Sequence, residues 1–222
     1  AGVPLELDPA PLSLYFQHNY IPDPWSVFRG VRKLPPGGWL KYHPDGRLEQ
    51  GIYWKLPVPE EHPAPGMTPE NTRERIRELF DEAVRIRMIA DVPLGAFLSG
   101  GIDSTSVVAS MARQSREPVK TFSIGFEEAK FNELPFARMV AEKYKTEHHE
   151  IMVRPDAVSL IHKLVQHFDE PFGDSSAIPT FIVSEFTAQH VKVALTGDGG
   201  DELFAGYKSF FRIEKMRSAD RI

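Results

Sequence analysis

The chain is predicted to fold as α/β, with a parallel sheet carrying helices on both faces. Three observations carry that expectation. From about residue 71 onward, short apolar runs of strand length alternate with longer stretches of helical spacing. The strand-like runs "LGAFL", "VKTFSIGF", "EHHEIMV" and "VKVALT" are rich in residues that suit buried strands. Two of them end in glycine-rich turns, "LSGGIDS" and "LTGDGGDEL", that pass straight into helical sequence.

Taken in order, residues 1–55 pair a helix-like piece, "PAPLSLYFQHNY", with "GVRKLPPGGWLKYHPDGRLEQGIYW". "PPGG" and "HPDG" are turn signals between short strand-like runs, about three in all. So short a segment struggles to bury a core alone and reads as the tail of a β-rich domain. Residues 56–70, "LPVPEEHPAPGMTPE", hold five prolines and read as a linker. Residues 71–222 form the α/β unit. Its first helix, in "PENTRERIRELFDEAVRIRMI", is marked by Ile76, Leu79, Phe80, Ala83 and Val84, with Pro69 at its first turn. Further helices are expected after Gly101, over "LPFARMVAEKY", "DAVSLIHKLVQHF" and "TFIVSEFTAQH", and as one last helix over "DELFAGYKSFFRI".

Composition narrows the function. A net charge of −5 offers no general reason to bind nucleic acid or anionic membrane, and neither partner is expected. Without cysteine there is no disulfide framework, thiolate metal site or cysteine nucleophile, which suits a cytoplasmic protein. No apolar run approaches the ~18–20 residues of a membrane span. The opening "AGVPLELDPA" has neither an initiator methionine nor signal-peptide character, and "EKMRSADRI" ends in helical sequence, so a fragment of a longer chain is expected.

In "LSGGIDS" the glycines let a backbone approach an anion, and the helix start points free N–H groups at it. Ser99 and Ser104 add hydroxyl donors. Asp103 fits an anion site once a divalent cation bridges carboxylate and phosphate. Neither G-x-x-x-x-G-K-[ST] nor G-x-G-x-x-G occurs, so the loop is not one of those phosphate cradles. The bland alternative is a tight turn capped by Asp and Ser. "VKVALTGDGGDELFAGY" repeats the plan with Asp198, Asp201 and Glu202 within five positions; alone it could be a well-capped helix. Paired with the first loop it reads as the cation side of one ligand site at the carboxyl ends of strands.

"SGGIDS" resembles the pyrophosphate loop of the N-type ATP pyrophosphatases, a resemblance that implies an adenine nucleotide alpha hydrolase-like fold. Taken with "LTGDGGDELFAGY" about a hundred residues later, it resembles the synthetase domain of the glutamine-hydrolysing asparagine synthetase family. "FSIGFEEAKFNELPFARMVAEKYKTEHHE" and "DEPFGDSSAIPT" carry the same likeness. "GVRKLPPGGWL" resembles the end of that family's N-terminal glutaminase domain, to which residues 1–55 would then belong.

The resemblance implies an enzyme that activates the aspartate side-chain carboxylate as an acyl-adenylate, using ATP and Mg²⁺ and releasing pyrophosphate. Ammonia, derived from glutamine in the family, then displaces AMP to give asparagine. By the same resemblance Ser99, Gly100, Gly101 and Ser104 would cradle pyrophosphate, Asp103 and Asp201 would hold Mg²⁺, and Leu98, Ile124, Thr196 and Gly197 would line the adenosine pocket. Asp198 would steer ammonia or take its proton; Asp169 and Glu170 are weaker candidates. A homodimer is the candidate assembly. The chain as given cannot hydrolyse glutamine through a cysteine, the family's lysine-bearing helical region would lie beyond Ile222, and Asn132 stands where the family more often has Asp. The alternatives are an amidotransferase or β-lactam synthetase-like enzyme acting on another carboxylate, and a non-catalytic nucleotide-binding module. His148 and His149 are read as structural or substrate-lining, since neighbours on a strand face opposite ways.

Overall fold

A computed structural model describes residues 5–57, 66–130, 132–153 and 157–219. Most of the proline-rich stretch read as a linker, and Phe131, lie outside the described residues. The elements run α1 (Pro9–His18), β1 (Gly38–Tyr42), β2 (Leu48–Ile52), α2 (Pro69–Arg87), β3 (Leu94–Phe97), α3 (Ile102–Gln114), β4 (Lys120–Phe126), α4 (Leu134–Tyr144), β5 (Glu147–Val153), α5 (Ala157–Phe168), α6 (Ala177–Thr187), β6 (Val193–Leu195), α7 (Gly200–Phe204) and α8 (Lys208–Ala219). The chain divides into two compact units, one of Ala1–Gly66 with Asp156–Ile178 and the other of Met67–Pro155 with Pro179–Ile222.

In the first unit Asp8 caps α1, its carboxylate accepting from the Ala10 N–H at 3.1 Å, and Pro9 takes the first helical position. β1 and β2 form an antiparallel hairpin closed at "HPDG", where Gly46 adopts φ +85°. Among the described residues two strands form here, with a lone bridge between Leu7 and Phe28. The strand–helix alternation assigned residues 156–178 to the back segment, yet they pack with the front. The Gly173 N–H donates to the Asn19 carbonyl at 2.7 Å, and Glu170 pairs with Lys33. Glu170, a candidate in the sequence, is committed to that ion pair.

The second unit holds a four-stranded sheet of order β5-β4-β3-β6, every pair parallel. On one face Ala96, Leu98 and Leu195 meet Val84 of α2, Val107, Val108 and Met111 of α3, and Ala137 and Ala141 of α4. On the other, Phe122 is fully buried, packs over Gly95, and meets Phe186 of α6 edge-on at 6.1 Å. Helices thus cover both faces, as the alternation implied. α2 starts on a capping box, Thr68 and Asn71 exchanging side-chain and backbone hydrogen bonds, with Pro69 inside. α4 begins where the Asn132 side-chain oxygen accepts from the Leu134 N–H at 3.2 Å, work that an aspartate would also do. The last helix expected from the sequence is two helices. Ala205 adopts φ +55° and the Gly206 N–H returns to the Asp201 carbonyl at 3.0 Å, which ends α7 before α8 begins.

Strand order places the site. From β3 the chain steps outward to β4 and β5, then returns to lay β6 on the opposite edge of β3. The order reverses between β3 and β6, and a crevice opens at the carboxyl ends of strands at such a point. Both glycine-rich turns leave from there.

Candidate functional site

The first loop leaves β3 after Leu98 and enters α3. Gly100 adopts φ +83°, and a β-carbon on it would lie 2.5 Å from Phe136 Cβ, so only glycine fits the turn. Gly101 stands at the N-cap of α3 and brings no capping side chain. The first intrahelical bond there runs from Thr105 N–H to the Gly101 carbonyl at 3.0 Å. The amides ahead of it therefore face outward with the positive end of the helix dipole. Ser99 and Ser104 hold the loop in shape: their hydroxyls lie 2.9 Å apart, and Ser99 Oγ accepts from the Gly101 N–H at 3.2 Å.

The second loop leaves β6 at Thr196 and enters α7. Thr196 Oγ1 donates to Asp198 Oδ2 at 2.9 Å and accepts from the Asp198 N–H at 3.3 Å, which fixes that carboxylate beside the strand end. Gly197 and Gly200 lie flush against α3: a β-carbon at Gly197 would sit 2.8 Å from the Ser104 nitrogen, and one at Gly200 2.6 Å from Asp103 Cγ. The glycines of "TGDGG" are thus what lets the two loops meet.

Between them lies a cavity of about 440 Å³, within the usual size of a small-molecule pocket. Ser99, Gly101, Asp103 and Ser104 wall it from one side, and Thr196, Gly197, Asp198, Gly199, Asp201 and Glu202 from the other. Phe97 forms part of the base and Tyr207 reaches in from beyond α7. Of the residues singled out in the sequence, Gly100, Leu98 and Ile124 are not part of this wall. Leu98 is 1% exposed in the core, its N–H bonded to the Phe122 carbonyl at 2.9 Å. Ile124 lies half-buried on β4.

Phe97, Gly199 and Tyr207 line the cavity without having been proposed from the sequence. Glu202 was visible as part of the acidic run. Tyr207 carried no local signal, because it reaches Glu202 only through the break between α7 and α8. Its hydroxyl donates to Glu202 Oε1 at 2.8 Å. That bond, with burial and the nearby charges of Glu202, Asp201 and Asp198, pushes the phenol above the ordinary tyrosine range.

The wall holds four carboxylates, Asp103, Asp198, Asp201 and Glu202, and no basic side chain. Among the described residues no three His, Cys, Asp or Glu side chains gather as a metal cage. This donor set suits a hard cation that takes one or two protein carboxylates and fills its remaining positions with water and phosphate oxygens, the habit of Mg²⁺. Asp103 comes from the first loop and Asp201 from the second, so each loop brings a carboxylate to the wall.

His148 and His149 do face opposite ways. His148 Nδ1 lies 2.9 Å from Thr121 Oγ1, while His149 stacks on Phe122 at 5.2 Å. Burial lowers the pKa of His148, against the opposing pull of Glu150. No helix among the described residues is long and apolar enough to cross a membrane.

The asparagine synthase family profile matches residues 75–221. A putative glutamine-hydrolyzing asparagine synthetase 2 of Methanocaldococcus jannaschii is 41% identical over 208 residues, covering 92% of this chain and 39% of that protein. The glutamine-hydrolyzing asparagine synthetase 1 of Bacillus subtilis is 34% identical over 222 residues, 98% of this chain and 34% of that one. Amidase chyE of Penicillium rubens is 34% identical over 201 residues, 83% of this chain and 30% of its own length. The chain spans less than two-fifths of the length of each of these relatives. With two glycine–acid loops meeting over one cavity and a family match across most of its length, this chain belongs to the asparagine synthase family.

Proposed function

We propose that this chain supplies the ATP-cleaving, carboxylate-activating site of an amide-forming ligase that makes asparagine. The observation that carries the reading is the meeting of "LSGGIDS" and "LTGDGGDE" over one acidic cavity at the point where strand order reverses.

The steps follow from the groups present. A side-chain carboxylate oxygen of aspartate attacks the α-phosphorus of ATP, the bond to the bridging oxygen breaks, and pyrophosphate leaves. Ser99, Ser104 and the uncapped amides of α3 receive that leaving charge. Asp103 and Asp201 would hold Mg²⁺, which supplies positive charge to offset the pyrophosphate. Ammonia then attacks the acyl carbon of the adenylate, and AMP departs as the carbon–oxygen bond breaks. The nitrogen must shed a proton, and Asp198, held by Thr196 at the cavity wall, is our candidate acceptor. Thr196 and Gly197 would take the adenosine side. In the complete protein, residues 1–55 would close a glutaminase domain that supplies the ammonia.

The test is a calorimetric titration of Mg·ATP into the chain and into an Asp103→Ala variant. Binding is expected in the first and is expected to weaken at least about tenfold in the second, a loss of roughly 1.4 kcal/mol. No binding by a folded wild-type chain sinks the nucleotide reading. Product analysis with aspartate and ammonium should show AMP and asparagine together; AMP with some other acid alone sinks the choice of aspartate. That second reading, a related enzyme acting on another carboxylate, is favoured by the 34% identity to a relative named as an amidase.

A further inference from the structure

We propose that Tyr207 is a positioning residue of the nucleotide site, pinning the Glu202 carboxylate against the cavity wall so that the acidic face is set before the cation-bound nucleotide enters. The inference rests on the nucleotide reading above and deepens it.

Three features of the fold bring Tyr207 to this place. Ala205 turns the chain at φ +55°. The Gly206 N–H bonds back to the Asp201 carbonyl at 3.0 Å, and its α-carbon sits so close to the Asp201 carboxylate that a side chain there would collide with it. Tyr207 is thereby turned back towards α7, with its ring 5.9 Å from that of Phe210 in the first turn of α8. From there its hydroxyl donates to Glu202 Oε1 at 2.8 Å, and both side chains wall the cavity.

The arrangement has a chemical purpose. Four carboxylates face a small space with no basic side chain among them, and an exposed glutamate has many rotamers open to it. Left free, Glu202 would swing between solvent and the cavity, and each nucleotide encounter would have to order it. A phenol donor restrains it while adding no charge. Because the donor hydrogen is committed to Glu202, the phenol oxygen is left as an acceptor only. It therefore presents no competing donor to the phosphates bound by the first loop.

The test is a double-mutant cycle read by calorimetry in the full chain, with Tyr207→Phe, Glu202→Ala and the pair. Tyr207→Phe keeps the ring and removes only the hydroxyl. Its Mg·ATP dissociation constant is expected to rise about three- to tenfold, as loss of an exposed bond to a charged group does. In the Glu202→Ala background the same change should have no further effect. The thermal midpoint should stay at the wild-type value, and binding of ATP in excess chelator should not change between wild type and Tyr207→Phe. Equal affinity of wild type and Tyr207→Phe for Mg·ATP overturns the positioning role while leaving the nucleotide reading intact. So does an equal loss with and without the cation, or an undiminished loss in the Glu202→Ala background. A folded wild-type chain that binds no Mg·ATP overturns both.

Discussion

Gly197 shows how much one missing β-carbon decides. The atoms it would strike are the Ser104 nitrogen at 2.8 Å and Asp103 Cβ at 2.9 Å, backbone and near-backbone groups of a packed helix that cannot swing aside. Gly197→Ala is therefore expected to push the second loop off α3, weakening Mg·ATP binding at least about tenfold and costing about 1–3 kcal/mol of stability. Calorimetry and urea unfolding read the two effects separately. The need for glycines in "TGDGG" was legible in the sequence as a turn signal, but the neighbour they accommodate was not. Asn132 teaches the converse. Its identity looks like a departure from the family pattern, yet its side-chain oxygen accepts the Leu134 N–H. What the position demands at the start of α4 is an acceptor, which either residue supplies.

At the scale of elements, the helix that aims its N-terminus at the cavity is tied down at its other end. Ser110 of α3, 0% exposed, donates to Asp81 Oδ1 of α2 at 2.5 Å, and Arg113 Nη2 donates to the same oxygen at 2.6 Å. Gln114 Nε2 bridges to Ser110 Oγ and to the Asp81 carbonyl, both at 3.0 Å. A buried hydroxyl with two partners belongs to a network whose members depend on one another. Ser110→Ala is expected to lower stability by about 1–2 kcal/mol in urea unfolding. Mg·ATP affinity should change less than about twofold, because the loop amides lie about two turns away along α3. The periodicity of "PENTRERIRELFDEAVRIRMI" announced α2, and "LPFARMVAEKY" marks α4. The break within "DELFAGYKSFFRI" was not legible, since its only local marks are an alanine in the left-handed region and a glycine beside it. Helical propensity argues against an alanine turning there; packing of Gly206 on Asp201 outweighs it.

At the scale of the whole molecule, acid should loosen the fold in two stages. His148 is held neutral by burial, so its folded pKa lies below the ordinary 6.5 and the unfolded chain binds the proton more readily. Its contribution is full above pH 6.5 and is lost as pH falls from there towards the lowered folded value. Asp81 is lowered from 3.8, chiefly by the Ser110 hydroxyl and then by Arg113. Glu150 is lowered from 4.5, chiefly by Arg138. Stability from these two is present above those ordinary values and is lost as pH falls through the depressed ones. The urea midpoint should accordingly fall from about pH 6.5 and again below about pH 4. His148→Gln, which keeps a partner for Thr121 but cannot titrate, should remove the first stage and leave the second.

Local pattern determined the elements of this protein and the chemistry of its two turns. Alternating strand and helix signals name an α/β unit, and "SGGIDS" and "TGDGGDE" place hydroxyls, helix-start amides and carboxylates where strands end. The tertiary structure decided their neighbours. β6 could have joined the far edge of the sheet beside β5; it lies instead against β3, pairing Leu94 with Val193 and Ala96 with Leu195, and only that register brings the two turns over one cavity. The same level of organisation drew residues 156–178 to the front unit and brought Tyr207 to Glu202. Turn chemistry is written in a few adjacent residues. Strand order is set by which apolar faces can be buried together and by backbone hydrogen bonds between segments about a hundred residues apart, and no window along the chain records that competition.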